Sequence, residues 1–404
     1  MITFETLGDM LLRRYVVDFI AQMQQLSAPI YSQLRENTRF VPSGDGAYFP
    51  VRIAGNEQGG GWRSTDDNQL PTAGNELVKQ ARVRPKKYYH VVTFSGLSEA
   101  VSQRGGEDAF ANSISDALSQ AVKRTGANFE NNFLRSDGTG RLTLVNGTGQ
   151  TAVTSIIVDD ARPFRQGQMI EFLNTSTGLR SDGPVKVMSR DVSASTIAVS
   201  SAVTVIDNDG IYIYGEQSGS SSPVETTALG LPAIVSSTGT IYNISRTTYP
   251  VLQSKVITVS STALDESILR RLRKQLLTET DTATVDGFVF VSNWDQYDRY
   301  TELALPFRRF NDNRLELGAQ QELTTFEGKP WLISWAAVPS EVYMLNLGAI
   351  ERGVVRPLSV DERVNMAWVP GQDAFTTALK YYGENVARLI NQTAKITGLS
   401  TPTY

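Results

Sequence analysis

The chain has 404 residues, 41% of them hydrophobic and 20% charged, the proportions of a folded globular protein long enough for two or three domains. It contains no cysteine, which excludes disulfides, thiolate metal sites and a cysteine nucleophile. A formal net charge of -4 argues against a dedicated nucleic-acid reader, and no run approaches the ~18 apolar residues that span a bilayer. No secretion signal is expected, because Arg13, Arg14 and Asp18 interrupt the short apolar runs near the start.

Phe4, Leu7, Leu11, Tyr15, Phe19, Met23, Leu26, Ile30 and Leu34 recur every three or four residues, the one-faced spacing of an amphipathic helix bent or broken at Pro29. Such a stripe needs another body to cover it, either its own domain or a neighbouring subunit. From Tyr48 the pattern turns to strand with Phe49, Val51 and Ile53, and strand composition returns over residues 83–93. Between these arms, residues 54–75 are polar and hold Gly59, Gly60, Gly61, Trp62 and the Asp66, Asp67, Asn68 run. A structureless stretch of that length is usually functional, so an extended hairpin reaching away from the body is expected. Residues 107–135 form the clearest helix, with Phe110, Ile114, Leu118, Val122, Phe129 and Phe133 on one face and a length of roughly 40 Å. Asp137, Gly138, Thr139 and Gly140 end it.

Residues 152–219 are rich in Val, Ile, Thr and Ser, with short strands expected at 154–158, 169–173, 185–189, 196–199 and 211–214. That spacing reads as a small β-barrel or sandwich, taken as an insertion, and the Ser- and Gly-rich residues 215–223 read as its return linker. Beyond it, strands are expected at 256–259, 288–291, 331–335 and 342–345, and a helix at 265–280. Residues 374–396 are ambiguous between strands and a short helix.

No motif for chemistry stands out. His90 is the single histidine, it lies in a strand, and no Gly-x-Ser-x-Gly elbow accompanies any serine. With one histidine and no cysteine a zinc site is not expected. Asp207, Asn208, Asp209 and Gly210 resemble the start of a calcium loop, but no glutamate follows at the required distance, so a β-turn is expected. Gly59 to Gly61 lack the Gly-Lys-Ser/Thr of a phosphate loop. The clusters Arg270, Arg271, Arg273, Lys274 and Arg308, Arg309 read as solvated faces or subunit contacts, and Asp159 with Asp160 as an ordinary acidic pair. No catalytic, cofactor-binding or metal-binding residue is assigned.

The order of these segments resembles the major capsid proteins of tailed bacteriophages with the Hong Kong 97-like fold, over nearly the whole chain. The helix end "ENNFLRSDGTG" is similar to the family's glycine-bearing turn. The stretch "ALGLPAIVSSTGTIYNISRTTYPVLQSKVI" resembles the approach to the family's axial domain, where a Gly-Leu and a later Ile-x-Arg flank a loop. It departs in having Asn243 where glycine is frequent, and Val251 and Leu252 where tryptophan often follows. "INQTAKITGLST" resembles the final strand.

The resemblance implies an α+β Hong Kong 97-like capsid fold plus an inserted small β-barrel domain. Its parts would be an N-terminal arm (1–45), an extended loop (46–96), a peripheral domain with the spine helix (97–151), the insertion (152–223), an axial domain (224–365) and the completion of the peripheral domain (366–404). It implies a subunit, not an enzyme, that assembles as pentamers and hexamers into the icosahedral head enclosing the phage double-stranded DNA. The expected place is the virion, after assembly in the bacterial host cytoplasm. Partners would be further copies of itself, a separate scaffolding protein, the portal, decoration proteins and non-specific contact with packaged DNA, with no membrane and no cofactor. In the loop, Trp62 would anchor the contact to a neighbouring subunit, and Arg63, Asp66 and Asp67 would supply ion pairs. No lysine lies between Ile53 and Val78, so covalent cross-linking through the loop is not expected. The rival readings are an encapsulin-like nanocompartment shell, a β-rich adhesin or tail component, and a hydrolase using His90.

Overall fold

A computed structural model describes residues 28–37, 40, 42–55, 74–96, 107–147, 149–174, 180–217, 226–279, 287–304, 325–361 and 367–401. The helical spacing predicted to run through Ile30 and Leu34 has ended by then. Pro29 lacks an N–H, Tyr31–Gln33 make a single 3-10 turn, and Arg35–Asn37 is strand β1. Ile30, Tyr31 and Leu34 are nonetheless buried in the main core. The rest of that stripe lies outside the described residues.

Strands β2 (Ala47–Ala54) and β3 (Leu77–Val83) form an antiparallel hairpin in register from Ala47 opposite Val83 to Ala54 opposite Leu77. The second arm is therefore residues 77–83, not 83–93. Arg84 and Pro85 break the chain there, and β4 (Lys86–Ser95) leaves to pair with another sheet. Helix α1 is Glu107–Arg135, the bounds expected from sequence. Past its end, the hydroxyl of Ser136 accepts from the N–H groups of Gly138 and Gly140, and Asp137 accepts from the Thr139 N–H.

Strands β5 (Thr143–Leu144), β6 (Gln150–Ile157), β7 (Met169–Leu173), β8 (Arg180–Asp191), β9 (Thr196–Val205) and β10 (Gly210–Ile213) form one antiparallel sheet in the order β5-β10-β7-β8-β9-β6. Val145 and Val158, just past β5 and β6, meet in an isolated antiparallel bridge. The sheet encloses its own core, with Ile156, Phe164, Phe172, Val187 and Ile197 fully buried. It begins before residue 152, because the two-residue β5 is too short to show a period.

Then come α2 (Leu231–Ile234), the tight hairpin of β11 (Thr240–Ile241) and β12 (Ile244–Ser245), β13 (Lys255–Thr262), α3 (Glu266–Glu279), β14 (Phe288–Ser292) and α4 (Trp294–Ala304). The chain continues through β15 (Thr325–Phe326), β16 (Lys329–Ile333), β17 (Glu341–Asn346), β18 (Ile350–Val360), β19 (Ala367–Trp368), β20 (Ala374–Ala387) and β21 (Thr393–Leu399). A mixed six-stranded sheet runs β13-β21-β17-β14-β16-β15. One of its faces packs Phe290, Val342 and Met344 under α3 and α4, and the other turns Val291, Tyr343 and Leu345 into the main core. Covered on both sides, β14 is buried at every position, which is why its sequence is an unbroken apolar run.

A second mixed sheet runs β1-β18-β20-β19, with β4 along the other edge of β20, and β1 lies parallel to β18. Strand β18 belongs with β4 and β20, whereas β21, the last strand, returns to the sheet of β13 and β17.

Candidate functional site

The β2–β3 hairpin is positioned by simple alternation. Phe49, Val51 and Ile53 pack against the main core, while Tyr48, Pro50 and Arg52 face out. Its base is held by a Phe49–Tyr242 ring contact at 5.6 Å and by the Arg82 N–H donating to the Tyr242 carbonyl at 3.1 Å. Lys79 sits 5.7 Å over the Tyr249 ring. At the far end the exposed pair Arg52–Glu76 closes at 3.3 Å. Trp62, Arg63, Asp66 and Asp67, together with Gly59 to Gly61, lie outside the described residues.

The segment leading in from the amino terminus is clamped by a carboxylate. Glu130 of α1 is fully buried and accepts from the backbone N–H of Ile30 (3.3 Å) and Tyr31 (2.9 Å) and from the Ser334 hydroxyl (2.7 Å). Burial pushes its pKa up, and these three donors pull it back. Tyr31 packs against Phe129 and Phe133, and the Arg352 guanidinium lies 5.0 Å over its ring. Five residues on, Arg135 donates to Asp160 at 2.6 Å and to the Ala336 carbonyl, and Arg162 pairs with Asp295 at 2.7 Å. This chain of ion pairs ties α1 and the head of the β5–β10 unit to α4.

The two family-like signatures have physical causes. Gly230 passes so close to the end of α1 that a Cβ there would sit 2.4 Å from the carbonyl oxygens of Asn132 and Ser136. Arg246, of the Ile-x-Arg, is buried and donates to the carbonyls of Ala233, Ile234 and Thr238. Asn243, in place of the frequent glycine, has φ +69 and Tyr242 has φ +50, the two left-handed positions of a tight hairpin turn. Asparagine tolerates that region better than other non-glycine residues, so the departure is a conservative one.

Groups with chemical potential are dispersed. His90 lies on β4 opposite Leu379, with its pKa lowered by burial and by Arg124, and it has no carboxylate partner among the described residues. Asp207 to Gly210 form a turn, in which Asn208 has φ +65 and Asp209 accepts from the Ile206 N–H. Asp160 is engaged by Arg135 and Arg162, while Arg270 and Arg273 pair with Glu266 and Glu327. Arg308 and Arg309 lie outside the described residues. No group of three or more metal-ligating side chains occurs among the described residues, and no described helix is long and apolar enough to cross a membrane.

Sequence reasoning missed Glu130 and Glu216. Glu130 interrupts the apolar face of α1 between Phe129 and Phe133, and that misplaced charge was the available signal. Glu216 lines a cavity of about 600 Å³ between α1, β4 and the end of β10. Its carboxyl is pushed up to about 8 by burial and, secondarily, by Glu171, and it turns inward against Gly140, where a Cβ would come within 2.5 Å of it.

No known family profile matches the sequence, and no curated protein matches it by sequence. The structure is similar to a chain of the cyanophage A-1(L) capsid asymmetric unit, at a TM-score of 0.59 and 13% identity over 93% of both chains. Weaker likenesses are to a Gordonia phage Cozz chain (TM-score 0.46, 12% identity, 92% of this chain and 87% of that one) and to the holo-SrpI encapsulin complex of Synechococcus elongatus (0.45, 8%, 92% and 88%). The chain shares that capsid fold, an α+β architecture with mixed sheets.

Proposed function

We propose that this chain is a major capsid protein, a shell subunit and not an enzyme, which assembles as pentamers and hexamers into an icosahedral head around double-stranded phage DNA. The observation that carries this reading is the end-to-end likeness to a phage capsid chain, 93% of each chain at a TM-score of 0.59. In this reading residues 1–45 are the N-terminal arm, and the clamp of Glu130 on Ile30 and Tyr31 fixes where the arm leaves the body. The extended loop is the β2–β3 hairpin with its tip, and the peripheral domain is α1 with β4 and β18 to β20, onto whose β18 the arm adds β1. The axial domain is β13 to β17 with β21. The β5–β10 unit is an inserted β-barrel domain, a reading supported by its separate core and by the Val145–Val158 bridge between its edge strands. Scaffold, portal and decoration proteins are the further partners, packaged DNA is contacted non-specifically, and the product resides in the virion after assembly in the host cytoplasm.

The test is assembly. Purified protein should build closed shells visible by negative-stain electron microscopy. Replacing residues 56–73 by a two-residue turn should leave a folded subunit that builds none. Trp62→Ala should weaken assembly more than Asp67→Ala, since an aromatic anchor buried at an interface commonly contributes ~2 kcal/mol or more and a rim charge little. Normal shells from the loop-deleted protein would overturn the reading of the hairpin as the assembly element. Shells that recover protein cargo instead of DNA would assign the chain to the encapsulin-like alternative.

A further inference from the structure

Where β3 ends and β4 begins, beside the β11–β12 turn, a half-open pocket of about 400 Å³ enters the body. Its wall carries four cationic side chains, Arg82, Arg84, Lys86 and Arg246, against two acids, Asp137 and Glu384. Both acids are engaged elsewhere. Asp137 pairs with Arg141 at 3.2 Å, and Glu384 accepts from the backbone N–H groups of Leu229 and Asn385. Asp45, next to the pocket, pairs with Arg82 and, at 3.7 Å, with Arg84.

Arg246 is 1% exposed, and among the described residues its guanidinium meets only carbonyl oxygens. Burial away from any counter-charge lowers its pKa to about 10. The Nε atoms of Arg82 and Arg246 are both buried donors with no acceptor. Buried N–H groups are rarely left so, and a guanidinium edge fits a bound oxygen pair. Two guanidinium Nε donors without an acceptor and two further cations around one small pocket describe a site whose ligand brings oxygen acceptors and negative charge.

We propose that this pocket binds a phosphate-type oxyanion, held by Arg82 and Arg246 from within and by Arg84 and Lys86 at the mouth. A phosphate presents acceptors in several directions at once and so answers both open Nε donors, which a single hydroxyl or amide oxygen does not. The phosphate has two sources, free in solution or in the backbone of a nucleic acid, and both offer the same oxygens. The inference stands on the pocket alone and does not depend on shell assembly.

The test uses the full chain, titrated with inorganic phosphate against chloride at matched ionic strength, and in a second arm with a short duplex DNA. Thermal unfolding and calorimetry are the readouts. Phosphate should raise the unfolding midpoint of the native protein, because a ligand bound only by the folded state stabilises it. The double variant Arg84→Gln, Lys86→Gln changes two residues at the mouth, and its Kd for phosphate should rise about tenfold or more. Asp45→Asn removes the acid that competes for Arg82 and Arg84, and should tighten binding several-fold. A gain of that kind cannot come from a folding defect. A response to phosphate identifies the free ion, and a response confined to DNA that depends on the same residues identifies the backbone. No response beyond chloride in either arm, or an undiminished response in the double variant, overturns the proposal.

Discussion

The main core gathers Ala28, Leu34, Phe133, Leu231, Tyr343 and Ile390, drawn from nearly the whole chain, whereas every fully buried member of the β5–β10 core lies between Leu142 and Ile211. The difference is one of contact order. The β7–β8 and β8–β9 pairings close short loops between successive strands, and the remaining pairings of this sheet all fall within residues 143–213, so its burial is available once a single stretch of chain has condensed. The body cannot complete its core until β1 reaches β18, a pairing that spans most of the sequence, and β21 reaches β13 across the last third of the chain. Cooperative units tend to follow such local clusters of contacts, so the two regions should unfold as separate units.

The largest expected effect breaks that comparison directly. Residues 142–217, excised, should show a β-type circular dichroism spectrum and a cooperative melt, whereas the remainder joined by a short linker should keep its own transition. A disordered spectrum for the excised piece would mean that its core depends on the body. Point variants sharpen the same contrast in the full chain. Phe133→Ala and Phe172→Ala each empty a fully buried aromatic site and should each cost about 3–5 kcal/mol. Differential scanning calorimetry should place the first loss in the body's transition and the second in that of the β5–β10 sheet. A single transition lowered equally by both would remove the distinction.

The next effect lies at the junction of the two regions. Glu216 carries a carboxyl raised to about 8, with Glu171 pressing on it and Lys86, His90 and Arg141 on the same cavity. A folded-state pKa above the unfolded value means that the folded protein holds the extra proton between about pH 4.5 and pH 8. Stability from this group is therefore lost as pH rises through that window. Glu216→Gln keeps the shape without the titration. Its melting temperature should exceed that of the native protein at pH 8.5 and match it near pH 4.5. Parallel pH profiles for the two proteins would show that Glu216 ionises freely.

The smallest effect is within the body. Asn243→Ala places a Cβ residue without a local polar side chain at φ +69 and should cost about 1 kcal/mol, while Asn243→Gly should be neutral or slightly stabilising. Urea unfolding of the two variants measures the difference, and an equal response would mean that the turn relaxes to negative φ.

Much of the local structure was legible because its cause is local. The bounds of α1 and β7 follow from apolar spacing and turn residues within a dozen positions, and the unbroken apolar run of β14 announced a strand covered on both faces. The break between β3 and β4 was written in Pro85, although strand composition on both sides of it masked the change of sheet. The polar spacing of residues 54–75 pointed to a projecting loop, and the hairpin beneath it is present in the structure, while its tip lies outside the described residues.

Other features depend on partners far away in sequence. Glu130 stands out in the sequence only as a charge on the apolar face of α1, and what it holds is decided when Ile30, Tyr31 and Ser334 are brought to it. Arg246 looks like a surface charge until the carbonyls at the end of α2 surround it. The sequence by itself determined where helices and strands form and which of their faces are apolar, because hydrogen-bonding period and side-chain alternation are set by neighbours along the chain. Only the tertiary structure decided that β1 runs parallel to β18, that β21 leaves the sheet of β20 for that of β17, and which buried charges face one another. Those choices rest on packing and desolvation between segments whose separation along the chain leaves no periodic trace in it.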